Sequence, residues 1–256
     1  MLTNLICHIK NEALLLPPWI RHHAPLFDTV TIIDYASTDE SLDIVRQMAP
    51  HWRIVRSQNT DFDANDADFE VMQIEWHLSG WKLALNVTEY VASHNLRGVL
   101  KMAEDANFYG LTGESFILAD KQRHGFAGLR NDIPVLHQFH HGYREDPEIK
   151  GTRRRLIHRW KTGSYAVGRH TWMRGPTALS ADVLFTTLMY APWDISMIQR
   201  KLNIGKEVSA HDKAKGLGFH HHRNADQLIK DFEQAVKDSQ NLHEHEMWAR
   251  LVGTGA

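Results

Sequence analysis

Short apolar, β-branched runs alternate with segments of helical spacing through residues 1 to 92, and each run ends on polar or acidic side chains. Leu2 to Ile9 closes on Lys10-Asn11-Glu12, and Thr29-Val-Thr-Ile-Ile-Asp34 closes on its own aspartate. Trp52 to Val55 and Trp81 to Val87 complete the set. Runs this short and β-rich suit strands better than helices. Between them, Leu14, Leu15, Trp19 and Ile20 recur at helical spacing, with Pro17-Pro18 confined to a turn or first helical turn because proline lacks the donor needed further in. Ser37-Thr38-Asp39 offers an N-cap for Glu40 to Met48. Asp66 to Leu78 carries Phe69, Met72 or Gln73, and Trp76 at helical spacing before Gly80 ends it. The alternation predicts an α/β fold with a mostly parallel central sheet flanked by helices. Ligands of such sheets gather beyond the carboxyl ends of the strands, so Lys10-Asn11-Glu12, Asp34 and Asn86-Thr88-Glu89 are expected to share one crevice.

With 256 residues, 43% of them hydrophobic, the chain can bury a full core in one domain. The expected division is 1–92 as a nucleotide-binding half, 93–223 as an acceptor-side half with loops, and 224–250 as a carboxyl-terminal helix. A formal charge of −2 gives no general affinity for polyanions, and no nucleic-acid partner is expected. The single Cys7 forms no internal disulfide and the opening residues lack a signal-peptide pattern, so a cytoplasmic setting is expected. No apolar run reaches the roughly 20 residues that span a bilayer, which leaves only peripheral membrane contact.

The middle of the chain is less regular. Leu96, Val99, Leu100 and Ala103 predict a helix and Ser115 to Ala119 a strand, whereas Arg123 to Gly151 reads as loop-dominated. Asn224 and Gln227 read as a capping pair for a helix whose apolar face carries Leu228, Phe232, Ala235 and Val236.

Lys10-Asn11-Glu12, Trp19-Ile20 with His23, and Ile33-Asp34 leading into Ser37-Thr38-Asp39 together resemble the opening of the family 2-like glycosyltransferases. The resemblance implies a GT-A, Rossmann-like fold, a nucleoside-diphosphate sugar as donor, and inverting transfer to a hydroxyl of a saccharide or other acceptor. That family ends its fourth strand with Asp-x-Asp-Glu and an aromatic residue, and here the segment reads Asn86-Val-Thr-Glu-Tyr90. The two aspartates would hold Mn²⁺ or Mg²⁺ against the diphosphate with hard anionic oxygens. Asn86 and Thr88 supply neutral oxygens only, leaving Glu89 as the one acidic metal ligand, so weak or absent metal dependence is expected.

Without a metal, the leaving diphosphate needs other positive partners. The resemblance points to Arg155 and His170, and to His220 or His222 in the run Gly216-Leu-Gly-Phe-His-His-His-Arg223. Lys10, Asn11, Glu12, Asp34, Tyr35, Asn86 and Thr88 are the remaining donor-site candidates, with Tyr35 placed to stack on a base. Inversion needs a carboxylate to deprotonate the acceptor. Glu145 and Asp146 are the first choice, with Asp120, Asp194 and Glu104-Asp105 as alternatives.

Two other readings stay open: a non-catalytic relative that keeps the fold to bind carbohydrate or a partner, and a metal hydrolase built on His137, His140, His141 and His220 to His222. The latter lacks the glutamate of an H-E-x-x-H arrangement.

Overall fold

The computed structural model describes residues 1–59, 62–120, 125–146, 148, 152–218 and 222–253. Strands β1 (Thr3–Ile9), β2 (Thr29–Asp34), β3 (Arg53–Arg56) and β4 (Trp81–Asn86) form a parallel block in the order β4-β1-β2-β3. Parallel neighbours need crossovers, and helices α1 (Leu16–His23), α2 (Ser41–Met48) and α3 (Ala64–Trp76) supply them. Both faces of β1 are covered, which is why Leu5, Ile6 and Cys7 follow one another as apolar residues and even Thr3 and Asn4 are buried. Leu5, Cys7 and Ile9 pack with Trp19, Ile20 and Val45 on one face, and Ile6 packs with Ala67 and Val71 of α3 on the other. Each such large apolar side chain contributes roughly 1.5–3 kcal/mol.

Beyond this block the sheet becomes mixed. The remaining elements are β5 (Glu89–Ala92), α4 (Leu96–Asp105), β6 (Gly110–Leu118), β7 (His141–Arg144), β8 (Ile157–His158), β9 (Ala178–Thr187), α5 (Ile195–Glu207), α6 (Ala210–Ala214), α7 (Ala225–Asp238), β10 (Gln240–Asn241) and α8 (Glu246–Leu251). The short β8 lies between β4 and β6, antiparallel to both, while β9 joins β6 in parallel and β5 in antiparallel. The expected α/β architecture is present, parallel through its first half and flanked by helices. The Asn224–Gln227 capping box forms as the sequence predicts.

Helix α3 departs from the expected orientation. Phe69 and Trp76, the aromatic residues of its apolar spacing, are 56% and 55% exposed, whereas Asp68, Glu70 and Glu75 are buried. The reason lies in residues 159–170, which run along the helix. Glu75 accepts from the Gly163 amide (2.7 Å) and the Tyr165 hydroxyl (2.6 Å), and lies 3.0 Å from His158 Nε2. Asp68 accepts from the Gly168 amide (2.8 Å) and from Arg169 (2.5 Å). Buried donors without those acceptors would each cost about 1–3 kcal/mol, so the acidic stripe turns inward and the aromatic one outward.

Candidate active site

Strand β4 ends at Asn86 and β5 starts at Glu89, so only Val87 and Thr88 separate them. Buried Val87 anchors the turn, and the Glu89 side chain folds back to accept from the Asn86 amide at 2.7 Å. The other Glu89 oxygen accepts from Arg155, which is 1% exposed and also donates to the Gly168 carbonyl at 2.9 Å. Arg169 bridges Asp68 and Asn86, donating to Asn86 Oδ1 at 2.8 Å. Gly168 and Arg169 both take positive φ, 86° and 59°. The left-handed residue is strained for arginine and is held by the hydrogen bonds on either side of it.

These contacts bear on whether the β4–β5 turn itself fits a metal. A divalent ion needs several hard oxygens free to face it. Both Glu89 oxygens are taken, and Asn86 Oδ1 already faces a guanidinium. The residues of the β4–β5 turn therefore do not fit a metal. Among the described residues, no group of three His, Cys, Asp or Glu side chains is arranged to hold one. His140 packs on His243 (ring centroids 4.6 Å apart), and His141 lies 3.7 Å from Asp120.

The donor-side candidates gather at the same edge of the sheet. Asn11 has φ 55°, and its side chain accepts from the Thr38 amide at 2.7 Å, fixing the β2–α2 loop. Asp34 accepts from the Ser37 amide at 3.0 Å. Lys10 pairs with Glu207 at 2.5 Å, and Glu12 takes a two-pronged contact from Arg200 at 2.7 and 2.5 Å. Tyr35 is buried against His8 and Phe62 (centroids 5.3 and 6.3 Å). Beside Asn11 and Arg200 a cavity of about 720 Å³ opens, and across Leu14 a second of about 590 Å³ reaches Arg21, Phe126 and Val135. Both are shallow and open to solvent.

The acceptor-side candidates separate. Glu145 accepts from the Arg153 amide at 2.9 Å and guanidinium at 3.0 Å. Exposed Asp146 instead braces its own loop, accepting from the Glu148 amide at 2.9 Å. Asp194 caps α5 and accepts from the Phe126 amide, Asp120 is buried near His140 and His141, and Glu104 and Asp105 sit on α4. His170 is held to about 2, first by burial and then by the charges of Arg155, Arg153 and Arg169, so its ring is neutral. His222 is exposed, and His220 lies outside the described residues.

The sequence reading missed Arg169, Arg200 and Lys201. The Lys201 ammonium lies 3.2 Å from the Met189 sulfur and 5.4 Å from the Tyr190 ring. Burial, then Arg200, Arg153 and Arg223, holds it down to about 7. Arg169 adjoins the flagged His170, which was the nearest available signal. Arg200 and Lys201 sit on α5, which no pattern read from the sequence predicts.

No protein-family model matches the chain, and no curated protein matches it. Among solved structures it is similar to S. aureus TarS 1-349 in complex with UDP-GlcNAc, at TM-score 0.44 and 14% identity over 92% of this chain and 82% of that one. S. aureus TarS 1-349 in complex with UDP gives 0.39 and 16% over 46% of this chain, and that match spans only 36% of the TarS chain. Glucosyl-3-phosphoglycerate synthase from Mycobacterium tuberculosis, with Mn²⁺, UDP and glucosyl-3-phosphoglycerate, gives 0.34 and 14% over 44% of each chain.

Proposed function

We propose that the chain is a GT-A-type glycosyltransferase that moves a sugar from a nucleoside diphosphate to a hydroxyl of a saccharide or other acceptor, with inversion and without a divalent cation. The observation that carries the reading is the β4–β5 turn, where guanidinium groups occupy the oxygens a metal would need. Arg155 and Arg169 build the floor of the donor site, each balanced by a carboxylate. The charge that develops on the leaving diphosphate falls to Lys201, whose fixed position costs no reorganisation during the reaction. Glu145, oriented by Arg153, takes the acceptor proton as the new bond to the sugar carbon forms and the bond to the diphosphate oxygen breaks on the opposite side.

Calorimetry with UDP, GDP and ADP, with and without chelator, tests this. Binding of at least one nucleotide, unchanged by chelation, is expected; strict Mn²⁺ dependence or no binding at all would sink it.

A second reading, a non-catalytic relative, is favoured by one observation. The Lys10–Glu207 and Glu12–Arg200 pairs tie α5 to the end of β1 and engage two donor-side candidates. Glu207→Ala separates the readings: nucleotide binding by the unaltered protein that the substitution strengthens supports the transferase, whereas binding that appears only after the substitution supports a relative closed by the pair.

A further inference from the structure

The outward face of α3 is part of a larger surface. At the helix end, the Lys161 ammonium lies 5.7 Å from the centroid of exposed Trp76. Trp160 stacks on Tyr109 at 6.3 Å, and Tyr109, 43% exposed, carries the Arg159 guanidinium 4.0 Å from its ring. Met173, 83% exposed, is tied back to Ser164 by its amide at 3.0 Å and brings Arg174 beside it. The topology puts these residues at one end of the molecule. β4 starts at Trp81, β6 starts at Gly110 and antiparallel β8 finishes at His158, so the patch lies at the amino edge of the sheet, opposite the candidate active site.

We infer that this amino-edge face docks the protein on an anionic lipid bilayer. Its chemistry is that of an interfacial contact: amphipathic aromatic rings and a methionine to enter the headgroup layer, with Lys161 and Arg174 beside them to meet lipid phosphates, Arg159 being held by Glu104 (3.7 Å) and the Phe108 carbonyl (2.9 Å). Charge selects among occupants. A second copy using the same face would set one cationic patch against another, and a soluble polyanion would engage the cations without burying Trp76 or Met173. No helix among the described residues is long and apolar enough to cross a membrane, so the contact is peripheral. Docking by this edge leaves the carboxyl-edge site facing water, open to donor and acceptor.

Sedimentation of the full chain with phosphatidylcholine vesicles, and with vesicles about one third phosphatidylglycerol, tests the inference. Binding to the anionic vesicles and little to the neutral ones is expected, weakening as salt rises. Lys161→Ala should lower the partition coefficient about fivefold and Trp76→Ala about tenfold, both with unchanged thermal melting. Equal binding to neutral vesicles, no vesicle binding by the unaltered protein, or binding to soluble heparin but not to vesicles would each overturn it. Concentration-dependent dimerisation that Trp76→Ala abolishes, with vesicle binding absent, would assign the face to a second copy instead.

Discussion

Asp68 and Glu75 leave the same face of α3 seven residues apart, and both are buried against the same loop, yet they are partnered in opposite ways. Glu75 meets neutral donors, the Gly163 amide and the Tyr165 hydroxyl, together with the ring of His158, and that network is closed on every side. Asp68 meets Arg169, whose second nitrogen reaches Asn86 at the end of β4, beside Arg155 and Glu89. The amino-edge network only fastens a loop to a helix. The carboxyl-edge network does the same and also gathers two guanidiniums and two carboxylates around the end of β4, at the strand ends proposed to hold the donor.

The contrast can be broken by substitution. Glu75→Ala leaves several buried donors unpaired and should cost about 3–5 kcal/mol in urea unfolding, with nucleotide affinity unchanged in whatever remains folded. Arg155→Leu strands Glu89 and should cost a similar 3–5 kcal/mol, but it should also remove nucleotide binding. Adding Glu89→Met to Arg155→Leu should recover most of the stability and none of the binding. If the double variant binds nucleotide normally, the carboxyl-edge network is as purely structural as its counterpart.

Between the two networks on α3, Glu70 accepts from Ser57 and from the Gln58 amide (2.7 Å), with His8 at 3.8 Å. Burial holds the His8 imidazole down to about 4. Its folded value is depressed, so this stability is fully present above 6.5 and is lost as pH falls from 6.5 through 4, a change of about 3 kcal/mol. Burial pushes Glu70 up, but the nearby His8 ring and hydrogen bonds from the Gln58 amide and the Ser57 hydroxyl outweigh it and bring it to about 2, adding a further loss below 4.5. Urea midpoints at pH 7 and 4.5 measure the first effect, and His8→Gln should flatten it.

Arg169→Lys keeps the charge but cannot span Asp68 and Asn86 in a planar fork. A nucleotide dissociation constant raised about tenfold is expected by calorimetry, equivalent to about 1.4 kcal/mol. An unchanged constant would erase the distinction between the two ends of the helix. Smallest is Asn224→Ala, remote from both networks, which should cost about 1 kcal/mol through the lost cap of α7 and leave nucleotide binding alone.

Much of this architecture was legible in the chain because local patterning wrote it. The four parallel strands, α1, α2, α4 and the capped α7 follow from apolar runs, proline placement and cap residues near in sequence to what they cap. The orientation of α3 was not legible, because Phe69 and Trp76 carry the apolar spacing while Asp68 and Glu75 are drawn inward by donors some 90 to 100 residues away. Strand β5 escaped for a related reason: Glu89–Ala92 is short and is recognised only by its pairing with β9. The site divided along the same line. Arg155 and Glu89 could be singled out separately, but their ion pair, and the reach of Arg169 to Asn86, depend on a loop whose path no local pattern encodes.

Cys7 lies in the middle of β1 between β2 and β4, fully buried, with burial pushing its thiol well above the ordinary range. A thiol that neither meets solvent nor ionises is silent toward an alkylating reagent until the central strands part. Its rate of labelling under native conditions is thus a built-in clock for opening of the sheet's centre. A nucleotide that binds only the closed form would slow that clock in proportion to its saturation.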